Sequence, residues 1–369
     1  MKFRTTKDAF YTGINIVNKA VPTSTTMDNL KNIKISAYNG VIKLLANDMD
    51  LAIETIIEGS STEDGEICVD AKLINSVLRG FPNNDIVVET RGTSEVVLTY
   101  NEERNSNTVI NYFRTEEFPE LPYYEKENPL NISQFTLKEL IRTTIFSISD
   151  NESNKIMTGE LFEIKNNQHK VVSLDGHRIS IRKEDLKDSY EDKKVIIPGK
   201  VLGELSKIIS SEIDKDVNIY FNKNNVVFEF DDTVMISRLI EGEYFKVDQM
   251  ISNEYSIKVK LNKKDLVDGI GRAVPFVHEG EKKPVKFNFT DDSLTMTIVS
   301  QEGGNNDYIN IEKEGNDIII GFNPKYILDA ARVIDSEEIT IYMVNSKAPC
   351  FIKDENESYL YLILPVNFN

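Results

Sequence analysis

The chain says the same thing three times, and that repetition constrains its fold more than any other feature. A short apolar strand, a turn and a helix with two basic residues seven positions apart recur as ICVDAKLINSVLRG at 67–80, VIIPGKVLGELSKI at 195–208 and IIGFNPKYILDAAR at 319–332. The aligned lysines, Lys72, Lys200 and Lys325, lie 128 and 125 residues apart. That period belongs to tandem domains, not to a solenoid. Seven residues is close to two helical turns, so Lys72 with Arg79, Lys200 with Lys207, and Lys325 with Arg332 each share one helix face. A long, negatively charged partner is expected against that face.

A second helix repeats as well. The segments TTKDAFYTGINIVNKAV at 5–21, TLKELIRTTIFSISD at 136–150 and NKKDLVDGIGRAV at 262–274 each place a lysine just inside the start, at Lys7, Lys138 and Lys264. These lysines are 131 and 126 residues apart, close to one third of 369, so the repeats account for essentially the whole chain. At about 100° per residue, apolar and polar positions separate around each axis. Phe10, Ile14, Val17 and Val21 oppose Lys7, Tyr11, Asn15 and Lys19; Leu140, Ile141, Thr144 and Ile148 oppose Lys138 and Arg142; Leu266, Val267 and Ile270 oppose Lys264, Asp268 and Arg272.

Between the helices the period changes to two, in runs such as NIKISAY, VIKLLAND, DIVVETRG, EVVLTY, VNIYFNK, NVVFEFDD, VKFNFTDD, LTMTIVS and ITIYMV. Alternation bounded by Asn, Asp and Gly reads as antiparallel meanders with one covered face. The predicted fold class is α+β: three similar domains in tandem, at 1–125, 126–252 and 253–369, each with two helices packed on antiparallel sheet. The boundaries fall where EKENPL and MISNEYS break the pattern.

Charge is distributed unevenly. The chain carries −17 overall, yet each of the six predicted helices nets +1, which leaves −23 for everything else. Cationic helices in an acidic body suit a nucleic acid met by the helices alone. No apolar run of about eighteen residues and no signal pattern at MKFRTTKDAF point to a membrane or to export. Cys68 and Cys350 are too few and too far apart for a disulfide framework, so a reducing cytoplasm is expected.

Catalysis has no visible seat. His169, His177 and His278 lie in unrelated segments, GIGR at 269–272 sits inside a helix pattern, and no GxSxG or GK[ST] occurs. No catalytic residue, metal or cofactor is expected. Asp48 and Asp50 lie on one side of a strand end, where they read either as a solvated turn or as a metal pair serving a nucleic-acid-processing enzyme. DGHR at 175–178 reads as a hairpin turn or as the rim of a binding site.

The order of several segments is similar to that of one family. MKF at the start, LANDMDLAIE at 45–54, FPELP at 118–122, GELFE at 159–163, DGHRIS at 175–180, GFNPKY at 321–326 and LILPV at 362–366 together resemble the bacterial DNA polymerase III beta subunit, the replication sliding clamp. The resemblance implies a noncatalytic processivity factor, a head-to-tail homodimer whose ring of six domains encircles duplex DNA. Its helices would line the hole, presenting Lys7, Lys19, Lys72, Arg79, Lys138, Arg142, Lys200, Lys207, Lys264, Arg272, Lys325 and Arg332 to DNA. It also implies a groove for linear peptides of the polymerase, clamp loader and other partners. Gly176, His177 and Arg178 would form one wall, Asn323 and Tyr326 another and Pro365 a third, with Met157, Leu174, Ile179, Phe245, Leu362, Ile363, Leu364 and Val366 around them. The ring joint is expected where the edge strand Thr108, Val109, Ile110, Asn111 meets the helix end at Pro275 and Phe276 of the other chain. Two positions depart from the family: the loop at 19–30 lacks an arginine that many relatives carry for DNA, leaving Lys19, and the chain ends NFN where relatives often show a basic residue, so Asn367 is not expected to touch peptide.

Overall fold

The structure, a computed structural model, describes residues 1–252, 254–277 and 284–368; His278 lies outside them. The described residues contain six α-helices: α1 (Lys7–Val17), α2 (Ala71–Gly80), α3 (Gln134–Arg142), α4 (Gly199–Ile208), α5 (Lys263–Ala273) and α6 (Pro324–Val333). Five begin directly after a strand and α6 one residue beyond one, and five have a capping side chain. Thr6, Asp70, Ser133, Asn262 and Asn323 accept from the backbone N–H of Ala9, Leu73, Thr136, Asp265 and Lys325 at 3.1, 2.7, 3.1, 3.2 and 3.0 Å. A cap of this kind is worth ~1 kcal/mol, which fixes where strand gives way to helix.

Two helices are shorter than the periodicity predicts. Helix α1 ends at Val17, and Val21 lies beyond a single 3₁₀ turn, Asn18–Ala20. Helix α3 ends at Arg142 instead of running to 150, because the Thr143 and Thr144 hydroxyls bond back to the Glu139 and Leu140 carbonyls at 2.6 and 2.7 Å. Such back-bonding competes with the helical ladder. Thr144 is buried as expected, but Ile148 falls outside the helix and is half-exposed.

The chain forms two compact units, Met1–Thr136 with Glu204–Leu239, and Leu137–Gly203 with Ile240–Asn369. In the first unit, a five-stranded sheet runs Ser60–Glu63, Lys2–Thr6, Asp85–Arg91, Glu95–Asn101, Ser106–Asn111. An eight-stranded sheet runs Leu130–Ser133, Asp216–Phe221, Asn225–Phe230, Thr233–Arg238, Leu51–Ile57, Val41–Asn47, Asn32–Tyr38, Gly65–Asp70. In the second unit, twelve strands run Lys193–Pro198, Gly159–Lys165, Gln168–Leu174, Arg178–Asp185, Tyr359–Ile363, Cys350–Lys353, Glu338–Met343, Ile257–Asn262, Gly303–Glu314, Ser293–Ser300, Val285–Phe289, Ile318–Phe322.

Every named pairing is antiparallel, and sequence neighbours mostly pair, as the meander pattern predicts. What the sequence does not announce is that strands from successive repeats join. Leu51–Ser237 begins one such seam and Arg178–Ile363 another. The helices pack on one face of these sheets: Phe10, Gly13, Ile14 and Val17 of α1 are buried, and a β-carbon on Gly13 would collide with Leu44 and Ile57. Cys68 and Cys350 are free and buried, and burial pushes each thiol up to about 12. No described helix is long and apolar enough to cross a membrane.

Candidate functional site

The cationic helix residues divide by what already holds them. Lys7 is half-buried, 4.8 Å over the Tyr11 ring and 3.5 Å from Asp8. Arg79 donates to Asn75 at 3.3 Å, and Asn75 donates to Asn15 at 2.8 Å, which ties α2 to α1. The hydrogen bond from Arg79 is also the main reason that the Tyr11 hydroxyl is held below its usual range. Glu204 is shared by Lys207 at 2.7 Å and Lys19 at 3.8 Å. Arg142 is the most committed: its Nε lies 2.9 Å from Glu139, and its terminal nitrogens reach the Val333 carbonyl and Asp335, both at 3.2 Å. Arg272 is paired with Asp307, and Lys138 is half-buried.

By contrast, Lys72, Lys200, Lys264, Lys325 and Arg332 are exposed and form no ion pair with another described residue. Three of these five are the aligned lysines that define the repeat. A cation with no carboxylate partner keeps its full attraction for a phosphate, whereas a paired one must first give up its carboxylate.

In the second unit, the DGHR turn builds a wall from the inside. Asp175 Oδ1 accepts from the backbone N–H groups of His177 and Arg178 at 2.9 and 3.1 Å, and Gly176 takes φ 88°, where a side chain would be strained. Arg178 is 7% exposed and fully engaged. Its Nε donates to Asp175 at 2.9 Å, Nη1 to Asp329 at 2.7 Å and Nη2 to the Phe146 carbonyl. The guanidinium lies 4.5 Å from the Tyr326 ring centre and 5.4 Å from that of Phe146. Tyr326 stacks on His177, centroids 6.2 Å apart at 20°, and burial raises its phenol. Asn323 spends its side-chain oxygen capping α6, which carries Tyr326.

The C-terminal segment closes the arrangement. Arg178 and Ile179 pair with Ile363 and Leu362, and alternation sends Leu362 into one cluster with Leu174 and Ile179, against which Met157 and Phe245 pack. Ile363 points into the other cluster, where Tyr326 packs. Beyond the strand, Leu364 N–H donates to the His177 carbonyl at 2.9 Å and Val366 N–H to the Gly321 carbonyl at 2.8 Å. Pro365, with no N–H, sits between them. Any side chain at Gly321 would strike the Val366 carbonyl, so the tail's path requires that glycine. Leu364 is exposed and Pro365 and Val366 half-exposed, while Leu174, Ile179, Leu362 and Ile363 are buried beneath. The predicted groove residues therefore lie together in the second unit: the His177–Arg178 turn is beside Tyr326, Leu174, Ile179, Leu362 and Ile363 are buried, and Leu364, Pro365 and Val366 are partly open. Sequence reasoning missed Asp175, Asp329, Phe146 and Gly321, although Asp175 begins a legible Asp-Gly turn and Asp329 lies one helical turn after Tyr326.

Among the described residues, two of the open strand edges lie where the joint between copies is expected. Thr108, Val109, Ile110 and Asn111 lie on the last strand of the five-stranded sheet, paired on one side only. Gly303–Asn310 pairs only with Ser293–Ser300 among the described residues, since the neighbouring strand reaches only Ile311–Glu314. Pro275 and Phe276 follow α5 in a 3₁₀ turn, with Phe276 packed against the core and 3.4 Å from where a Gly303 β-carbon would stand. Asp48 follows the turn reading: its Oδ1 accepts from Asp50 and Leu51 N–H at 3.0 and 2.7 Å. Asp50 faces Arg238 at 3.6 Å.

Comparison with known proteins bears directly on these surfaces. Models of the DNA polymerase III beta subunit match in chain order: the N-terminal domain at residues 1–122, the central domain at 131–246 and the C-terminal domain at 248–367. A beta sliding clamp of Staphylococcus epidermidis is 29% identical over 377 residues, with 99% of each chain covered. A putative DNA polymerase III beta subunit of Eubacterium rectale superposes with a TM-score of 0.95 at 52% identity, with both chains covered in full. The DNA polymerase sliding clamp of Bacillus subtilis gives 0.93 at 28% identity, covering 100% of this chain and 99% of that one.

Proposed function

The chain belongs to the bacterial DNA polymerase III beta-subunit family, and from that premise we propose how its surfaces divide the work of a sliding clamp. It is a noncatalytic processivity factor: two copies close into a ring that encircles duplex DNA and tethers the replicative polymerase and other partners. We divide each copy into clamp domains at 1–125, 126–252 and 253–369, and we place the protein in the cytoplasm with the DNA.

The observation that carries the DNA reading is the charge arrangement. Each repeat presents an unpaired lysine at the start of its strand-linked helix, on a chain of net charge −17. Lys72, Lys200, Lys264, Lys325 and Arg332 are the first contacts for phosphate; Lys7, Lys19, Arg79, Lys138, Arg142, Lys207 and Arg272, each half-buried or already engaged within the fold, contribute more weakly. Few contacts and a repulsive body make direct affinity weak, and it falls with salt by about 0.9 log units per neutralised phosphate for each tenfold rise in salt. Retention then comes from encirclement. Clamp loaded onto a nicked circle stays bound through a high-salt wash and slides off once the circle is linearised. Equal retention on both would overturn this.

For partners, we propose the groove at the His177–Arg178 turn, with Tyr326, Leu364, Pro365 and Val366 as the contacting rim, Met157 and Phe245 at its side, Leu174, Ile179 and Leu362 as floor, and Ile363 anchoring the strand from the opposite cluster. Gly176 and Asn323 set the wall's backbone. Concave apolar sites with a few fixed polar groups suit a linear segment carrying one or two bulky side chains. For the ring joint, we propose that Thr108–Asn111 of one copy adds to an open edge beside Pro275 and Phe276 of the other, where the Gly303–Asn310 strand offers unpaired backbone.

A further inference from the structure

We infer that the two linkers between repeats are matched straps, each pinning one sheet seam on the face opposite the helices. The first linker has no regular secondary structure from Tyr112 to Pro129 apart from one bridge to Cys68. Phe118, 5% exposed, packs in a cluster with Leu45 and Cys68 of the first repeat. Leu121 packs both against that cluster and against Tyr220, Val227 and Ile236 of the second repeat. One side chain thus spans the seam between the Leu51–Ile57 and Thr233–Arg238 strands. Polar contacts hold the strap along its length: Glu120 pairs with buried Lys34 at 2.8 Å, its carbonyl accepts from Asn47 at 3.0 Å, and Lys126 reaches Glu229 at 2.9 Å.

The second linker repeats the device. Tyr244 and Val247 stand 126 residues after Phe118 and Leu121, with the same spacing of three. Both are buried in the cluster that joins Leu161 and Val172 of the second repeat to Leu360 and Leu362 of the third, across the seam between the Arg178–Asp185 and Tyr359–Ile363 strands. The Tyr244 hydroxyl donates to the Val172 carbonyl at 3.2 Å. One residue on, Asp248 pairs with Lys170 at 2.7 Å, and Lys170 also meets Glu163 at 3.4 Å, as Lys34 meets Glu66 at 3.0 Å beside Glu120.

The physical need is plain. A seam made by one pair of strands can bend about its line of hydrogen bonds, since only that ladder crosses it. Apolar anchors seated on both sides of the line resist the bend, because opening exposes them together. The straps are positioning elements that hold successive repeats at a fixed angle.

Hydrogen exchange on the full-length protein tests this. In Phe118→Ala/Leu121→Ala, amides of Leu51–Ile57 and Thr233–Arg238 should exchange at least tenfold faster, while Asp85–Arg91 and Glu95–Asn101 in the same unit keep wild-type rates. The milder Leu121→Val should show the same pattern at smaller amplitude if the double variant does not fold. Unchanged exchange at the seam, or acceleration spread evenly over the unit, would overturn the inference.

Discussion

Replacing Arg178 by alanine should damage the partner groove without removing any group that a partner touches. The side chain is 8% exposed and sits between Asp175 and Asp329, whose side chains are 13% and 20% exposed. Its loss leaves two carboxylates with no cation between them, the Phe146 carbonyl without its donor, and the Tyr326 ring without the plane on which it rests. Removing one member of a buried pair costs roughly 3–5 kcal/mol, because the remaining charge stays desolvated. Taking the lower end, ~3 kcal/mol raises the local opening constant by about two orders of magnitude. Exchange of the Leu364 amide, which donates to the His177 carbonyl, should report it directly. Arg178→Lys, which keeps the charge but loses the planar fork and the stacking, should fall between. Peptide affinity should drop in parallel with the exchange. If affinity fell while Leu364 exchange stayed at the wild-type rate, Arg178 would be a direct contact and the positioning argument would be wrong.

Other outcomes follow from the same coordinates. Tyr326→Ala removes the ring that stacks on His177 and should abolish polymerase stimulation while dimerisation and retention on nicked circles persist; surviving stimulation would move the groove elsewhere. Phe276→Asp should yield monomers by light scattering at micromolar concentration, and a dimer unchanged would clear the 3₁₀ turn of any role in the joint. Stability should also depend on pH through Glu160, which is fully buried with no normal hydrogen bond to either carboxylate oxygen among the described residues, so that burial lifts its carboxyl to about 8. The native state therefore holds a proton that the unfolded chain releases, and stability is lost as pH rises from about 4.5 through about 8, by up to ~5 kcal/mol. Glu160→Gln should flatten that loss in urea titrations; parallel curves for the two proteins would show that Glu160 is charged inside at no cost. His169, pushed down to about 4 by burial, acts on the other side, with stability lost as pH falls from about 6.5 towards 4.

How far the sequence reached depends on the range of the interaction concerned. Helix and strand type were legible because they follow from the period of apolar residues, whereas five helix starts are fixed by the caps Thr6, Asp70, Ser133, Asn262 and Asn323, which that period does not report. The threefold repeat, the acidic body and the cationic helices are likewise properties of order along the chain. The end of α3 was misjudged because hydroxyl back-bonding at Thr143 and Thr144 does not disturb the apolar period, and that of α1 because the period runs on through the 3₁₀ turn Asn18–Ala20.

Partner choice was the part that only the tertiary structure decided. Twelve basic residues look alike as letters, yet Arg142 is held by Glu139 and distant Asp335, while Lys325 meets no carboxylate among the described residues. Arg178 reads as part of a hairpin turn or a binding rim, and the fold buries it against Asp329, 151 residues away. Asp48 reads either as a solvated turn or as half of a metal pair, and the fold shows its carboxylate spent on its own backbone. The linkers read as breaks in periodicity, and Phe118, Leu121, Tyr244 and Val247 turn them into straps. Local pattern reports how each residue is distributed along its own element, whereas a charge or an apolar anchor acquires its role from whatever lies within a few ångströms, and the fold brings those groups from the far side of a repeat.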